Sequence, residues 1–158
     1  MEVISTDEID KSRLTKFFIK HWGSPVMVIS SGMYQCNELD GFIVVDDCNE
    51  FLGLITYLIK NNECEIISLD SIVENMGIGT TLLHQVELTA KSAGCSCLKL
   101  VTTNDNLRAL EFHQKRGYQL SAIFVNAVET ARRIKPEIPF VADNGIPIRD
   151  EILLVKTI

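Results

Sequence analysis

One strand-like apolar run turns abruptly into an amphipathic helix through two glycines, and this constrains the chain more than any other feature. The segment reads Asp70-Ser71-Ile72-Val73-Glu74-Asn75-Met76-Gly77-Ile78-Gly79-Thr80-Thr81. A strand that bends sharply into a helix presents backbone N–H groups at the positive end of the helix dipole, where a phosphate is stabilised. Glycine removes the side chains that would hold a diphosphate away from the main chain. Gly-x-Gly alone is a weak motif, and it gains weight here only from a second motif further along the chain.

Around this bend the pattern is that of a mixed α/β domain. Residues 1–4 read as a short strand, and Asp7 is placed to cap a helix carrying Ile9, Leu14, Phe17, Phe18 and Trp22 on one face. Gly23-Ser24-Pro25 stops that helix; Val26 to Ile29 is extended in character, and residues 30–41 read as an irregular connection. Three β-rich runs come next, at 42–45, 51–59 and 63–71, separated by short polar turns, which predicts an antiparallel meander. From Gly79 the period becomes helical, with Leu82, Leu83, Val86, Ala90 and Ala93 inward and Gly94 as the stop. A strand at 98–102, a helix at 106–116 closed by Gly117, a strand from Tyr118 and a last strand at 152–155 complete the chain. Antiparallel strands succeeded by strand–helix alternation predict one mixed α/β domain over residues 1–158.

Composition excludes several classes of function. With 46% hydrophobic and 23% charged residues the chain is globular rather than disordered. No apolar run reaches the roughly 18 residues that a membrane span needs. Residues Met1 to Glu8 lack the basic and apolar regions of a secretory signal, so a cytoplasmic location is expected, with no membrane partner. A net charge of −6 argues against nucleic acid as a partner. The five cysteines, Cys36, Cys48, Cys64, Cys95 and Cys97, are scattered and read as reduced thiols. Only Cys95 and Cys97 lie close together, without a His or Cys at zinc-finger spacing, so no metal is expected.

About thirty residues beyond the bend comes Asn106-Leu107-Arg108-Ala109-Leu110-Glu111-Phe112-His113-Gln114-Lys115-Arg116-Gly117-Tyr118. This resembles the Asn-x-x-Ala-x-x-(Leu/Phe)-Tyr-x-x-x-Gly-(Phe/Tyr) pattern of the GNAT superfamily of acyl-CoA-dependent N-acyltransferases. Gly77 and Gly79 fall where that family carries (Gln/Arg)-x-x-Gly-x-(Gly/Ala) before its own helix. The resemblance covers nearly the whole chain. It implies a twisted, mostly antiparallel sheet of about six or seven strands flanked by helices, with a splay between central parallel strands. It also implies acetyl transfer from acetyl-CoA to a primary amine, small or peptidic, and is compatible with a homodimer. Two positions depart from the family pattern: Glu74 replaces Gln or Arg, and His113 replaces the tyrosine often assigned to protonate the leaving thiolate.

By this resemblance the main chain around Ile72 and Val73, and around Gly77, Ile78, Gly79, Thr80 and Thr81, holds the pantetheine and diphosphate, and Asn106 contacts the pantetheine arm. An alkylammonium has a pKa of about 10.4, so the neutral amine costs roughly 4–5 kcal/mol to form at pH 7. A base is therefore expected, and Glu65 is the first candidate, with Glu63 on its face and Asp70 on the opposite one. A solvated strand carboxylate is the alternative for each. His113 has the chemistry to return a proton to the thiolate, against a plain packing role. Trp22 and Arg149 are candidate acceptor contacts, the first against core packing and the second against pairing with Asp150 or Glu151. An acyl-CoA-binding module or regulator without turnover is the competing function. The Gly-x-x-x-x-Gly-Lys-(Ser/Thr) loop of a nucleotide-dependent transferase is missing.

Overall fold

The computed structural model describes residues 1–158. In chain order the elements begin with β1 (Glu2–Ser5), α1 (Lys11–Trp22), β2 (Val26–Ile29), β3 (Gly32–Gln35), β4 (Asp40–Val45), β5 (Phe51–Lys60) and β6 (Glu63–Ser71). They continue with α2 (Ile78–Ser92), β7 (Cys97–Thr103), α3 (Leu107–Gln114), β8 (Gln119–Phe124), α4 (Ala127–Ile134) and β9 (Glu151–Thr157). Seven strands are hydrogen-bonded in the order β1-β4-β5-β6-β7-β9-β8, mostly antiparallel with one parallel pair, and β2 and β3 form a separate hairpin. The crossover β6–α2–β7 is the strand–helix–strand connection that a parallel neighbour requires. This is the mixed α/β architecture the sequence predicts. Residues divide into two compact units, the first made of 1–27, 35–98 and 158, the second of 28–34 and 99–157.

In the first unit the meander β4–β5–β6 forms as expected. Asn61 and Asn62, at φ +53° and +61°, make the two-residue turn that sets Lys60 opposite Glu63. The helix α1 starts later than the sequence suggested. Asp10, not Asp7, caps it, accepting a hydrogen bond from the Ser12 amide at 3.3 Å, while Thr6–Glu8 form a separate 3₁₀ turn. Part of the segment expected to be irregular is also ordered: it holds β3 and a 3₁₀ turn at Cys36–Glu38. In β3 the run Gly32-Met33-Tyr34-Gln35 shows too little apolar alternation to be read from sequence.

The register of β5 on β6 decides which residues share a face. Leu54 lies opposite Asp70, Thr56 opposite Ser68 and Leu58 opposite Glu65, but Tyr57 lies opposite Ile66. Ile67 is therefore an extra residue in β6, a bulge that shifts the alternation of side chains by one. Leu54, Thr56 and Leu58 occupy one face of β5, so Asp70 and Glu65 lie on the same face of β6, not on opposite ones as simple alternation predicts. Helix α2 packs on the other face, against Gly53, through Ile78 and Leu82. In α2 the side chains of Ile78, Leu82, Leu83 and Val86 are all at most 1% exposed. At about 1.5–3 kcal/mol for each buried aliphatic side chain, this seam fixes where the helix begins.

In the second unit β8 pairs with β9 in antiparallel register, Gln119 opposite Val155 and Phe124 opposite Glu151. Asn106 caps α3, its Oδ1 accepting the Ala109 amide at 3.2 Å. The long loop after α4 is held by Arg132, whose guanidinium donates to the carbonyls of Ile138, Pro139 and Ile148. The basic side chains at this point thus include one with a structural task.

Candidate active site

The bend between β6 and α2 lies wholly in the first unit and is open. Ile72 and Met76 are 46% and 49% exposed. Asn75 and Gly77 both adopt the left-handed conformation, at φ +62° and +72°, and alternation of this kind curls successive amides into a concave surface. A Cβ placed at Gly77 would meet nothing within 4 Å. No side chain caps α2, so the first-turn amides of Ile78 and Gly79 point out of the helix end. Two of the expected donors are engaged inside the chain. The Ile72 amide donates to the Leu52 carbonyl at 2.8 Å, and the Thr81 amide donates to Gly77 at 2.9 Å. What Ile72 offers a ligand is its exposed side chain, because the ladder of β6 reaches one residue beyond the strand. The amide surface is correspondingly narrower, centred on Gly77 to Thr80. Glu74 is exposed on the bend.

Below the bend, on the face opposite α2, lie the carboxylates. Glu65 is 8% exposed. Asp70 sits five residues further along β6, and its Oδ1 accepts the indole N–H of Trp22 at 2.9 Å. The Asp70 Oδ2 is buried without a hydrogen-bond partner. Burial pushes the Asp70 carboxyl above the ordinary carboxylate range, against the opposing pull of the Trp22 N–H and of His21. Between Asp70 and Glu65 the hydroxyls of Thr56 and Ser68 meet at 2.5 Å, both buried. Trp22 therefore has a defined partner rather than a general packing role. The sequence undervalued Asp70 because nothing in it marks the bulge.

The Cys64 thiol, buried in β6, is no nucleophile. Burial, reinforced by Cys95 and Cys97, pushes the Cys64 thiol up to about 12, so it stays protonated at neutral pH. None of the five cysteines forms a disulfide. No group of three or more His, Cys, Asp or Glu side chains is arranged to hold a metal ion.

The second unit holds the remaining sequence candidates. Asn106 is exposed, with its Oδ1 committed to the α3 cap. His113 is 5% exposed, its ring packed edge-on against Phe112 and Tyr118 at centroid distances of 5.0 and 5.4 Å. This edge-on packing gives the ring a structural role in the second unit. Arg149 makes a bidentate pair with Asp150, Nε to Oδ1 at 2.9 Å and Nη2 to Oδ2 at 3.0 Å. Its charge is thus directed to its neighbour.

Asn104, which the sequence did not single out, organises this region. Its Oδ1 accepts the amides of Arg149 and Asp150 at 3.0 Å each, and its Nδ2 donates to the Pro147 carbonyl at 2.9 Å. Asp150 in turn accepts the Asn126 amide at 2.8 Å where α4 begins. Arg149 and the Asn126 amide together hold the Asp150 carboxyl below the ordinary carboxylate range. A carboxyl with a lowered folded-state pKa adds stability above its unfolded value of about 3.9 and loses it as the pH falls toward the folded value. Asp150→Ala is expected to lose about 1.5–3 kcal/mol at pH 7, the usual worth of hydrogen bonds to a charged group. The deficit should shrink as the pH drops below about 4, which urea denaturation at pH 7 and pH 3.5 would measure. An equal deficit at both values would refute the charged contribution.

The strand order, with an amide-lined bend leading into the helix after β6, defines an acetyltransferase type of fold. The model of the acetyltransferase (GNAT) family matches residues 9–118. The chain belongs to that family. It is 61% identical over 158 residues to the uncharacterized Bacillus subtilis protein YdhI, covering 100% of this chain and 99% of that protein. Among solved structures it resembles a GNAT family acetyltransferase from Elizabethkingia anophelis with acetyl-CoA bound, at 27% identity and a TM-score of 0.64, covering 76% of each chain. It also shares its fold with an IAA acetyltransferase from Bacillus cereus, at 21% identity and a TM-score of 0.71, over 99% of this chain and 100% of that one. No helix is long and apolar enough to cross a membrane.

Proposed function

We propose that the protein transfers an acetyl group from acetyl-CoA to a primary amine, by direct attack of the amine on the thioester in a ternary complex. The observation that carries this reading is the open, uncapped start of α2, where Asn75 and Gly77 curl the main chain into an anion-binding surface. Family membership and the acetyl-CoA held by the Elizabethkingia anophelis protein support the choice of donor. The amides of Gly77, Ile78, Gly79 and Thr80 take the diphosphate, while Val73 and the exposed side chain of Ile72 flank the pantetheine. A thiol as reluctant to ionise as Cys64 supports direct attack over an acyl-enzyme.

A second reading, an acyl-CoA-binding module without turnover, is favoured by the packing of His113 and by Glu74 at the Gln/Arg position. One experiment separates the two. Acetyl-CoA binding is measured by calorimetry, and free thiol is monitored with spermidine, tyramine, kanamycin and a lysine peptide as acceptors. Amine-dependent thiol release is the expected result. Binding without such release would support the module, and absence of binding would end both readings.

A further inference from the structure

Asp70 is the one carboxylate on the Trp22 face of β6 that is aimed by a side chain and also keeps a buried oxygen uncommitted. We propose that Asp70, oriented by the indole of Trp22, is the base that takes the proton from the acceptor ammonium, and that this side of β6 is where the acceptor amine docks. This rests on the acetyl-transfer reading above. Distance separates the two carboxylates first. Asp70 and Glu65 lie opposite Leu54 and Leu58, four residues apart on β5, which at about 3.4 Å per residue separates them by roughly 14 Å. One nitrogen cannot be served by both. Glu65 lies two residues from the start of β6, at the hairpin end, whereas Asp70 lies one residue from the opposite end, directly before the bend.

The two oxygens of Asp70 are differentiated. Oδ1 is occupied by the Trp22 N–H, which fixes the plane of the carboxylate, and Oδ2 is buried without a partner. A buried acceptor left unsatisfied is destabilising, and an ammonium donor would satisfy it. Burial also moves the carboxyl toward the operating pH, the direction in which base catalysis gains. The charged or titratable groups facing it are His21 at the end of α1, Glu65 and Glu63 further along β6, and Lys60 opposite Glu63 on β5. Thr56 and Ser68, between Asp70 and Glu65, are neutral.

The chemistry balances with no further reactant. One ammonium proton passes to Asp70 Oδ2, leaving the nitrogen lone pair free. The nitrogen bonds to the thioester carbon, the C–S bond breaks, and the electron pair leaves on sulfur. The second proton lost by nitrogen goes to that thiolate, and Asp70 releases its own to solvent.

Trp22 is the only tryptophan in the chain, so its emission reports directly on Asp70. The wild type should show a pH-dependent change in Trp22 emission that is absent in Asp70→Asn. Propylammonium should perturb the emission of the wild type, tetramethylammonium, which has no N–H, should not, and neither should act on Asp70→Asn. With any acceptor that the wild type acetylates, Asp70→Asn should lower kcat about 10²–10⁴-fold, the usual worth of a general base, with acetyl-CoA affinity unchanged. Trp22→Phe keeps the carboxylate but removes its donor, so the acid limb of its kcat/KM profile should move to higher pH. A role confined to anchoring α1 would leave that limb in place. Emission indifferent to pH and to propylammonium, or Asp70→Asn turnover within threefold of wild type, overturns the proposal. Failure of the wild type to bind acetyl-CoA overturns the acetyl-transfer reading instead.

Discussion

Gly77→Asp is expected to fold nearly as well as the wild type and to bind acetyl-CoA about 100-fold more weakly. The two halves of this expectation have separate causes. Gly77 sits at φ +72°, a region that aspartate visits several-fold more readily than most residues, and a Cβ there has nothing within 4 Å. The strain of about 1–2 kcal/mol is offset by about 0.3–1 kcal/mol from a negative charge at the start of α2. That same charge would lie beside the diphosphate. At about 5 Å and an effective dielectric near 20, one like-charge pair costs about 3 kcal/mol, and salt reduces it only in part. Calorimetry with acetyl-CoA and thermal unfolding of the same samples measure both halves. Gly77→Asn matches the shape without the charge and should bind within about fivefold of wild type. If Asp and Asn behaved alike toward acetyl-CoA, the diphosphate would have to lie elsewhere.

Gly53→Val should be the most destabilising exchange near the site. A Cβ at Gly53 would stand 2.5 Å from Ile78 Cγ2, 2.8 Å from the Asp70 carbonyl oxygen and 3.1 Å from Leu82 Cδ1. The carbonyl belongs to the paired strand β6 and Leu82 is fully buried, so little can yield. Overpacking costs about 1–3 kcal/mol where side chains can adapt, and valine adds two methyl groups beyond the Cβ. The expected loss is at least about 3 kcal/mol, or roughly 6–12 °C in a chain of this size. Ile78 is the first residue of α2, so the molecules that remain folded should also bind acetyl-CoA more weakly. Urea denaturation and calorimetry on Gly53→Ala and Gly53→Val would order the two variants. A valine variant as stable as wild type would mean that α2 packs less closely than the geometry requires.

How far the sequence could be read depended on whether the relevant physics was local. The meander and the two principal helices were legible, because apolar period, glycine stops and paired asparagines act within a few residues. The bend before α2 was legible for the same reason. Long-range pairing was not readable. The Ile72 amide is engaged by Leu52, twenty residues earlier in the chain, and only the ladder reveals it. The packing of His113 against Tyr118 depends on how α3 turns back toward β8, and spacing alone could not separate that from a reactive position. Trp22 and Asp70 are 48 residues apart, so their hydrogen bond left no local mark.

Ile67 makes β6 count differently on its two sides. Without it, Asp70 would swing from beneath Trp22 to the side occupied by Ile78 and Leu82, placing a carboxylate against an oily helix. A single-codon deletion there would therefore be more damaging than most point changes. Evolutionary drift in the length of this strand should be far more restricted than drift in its composition.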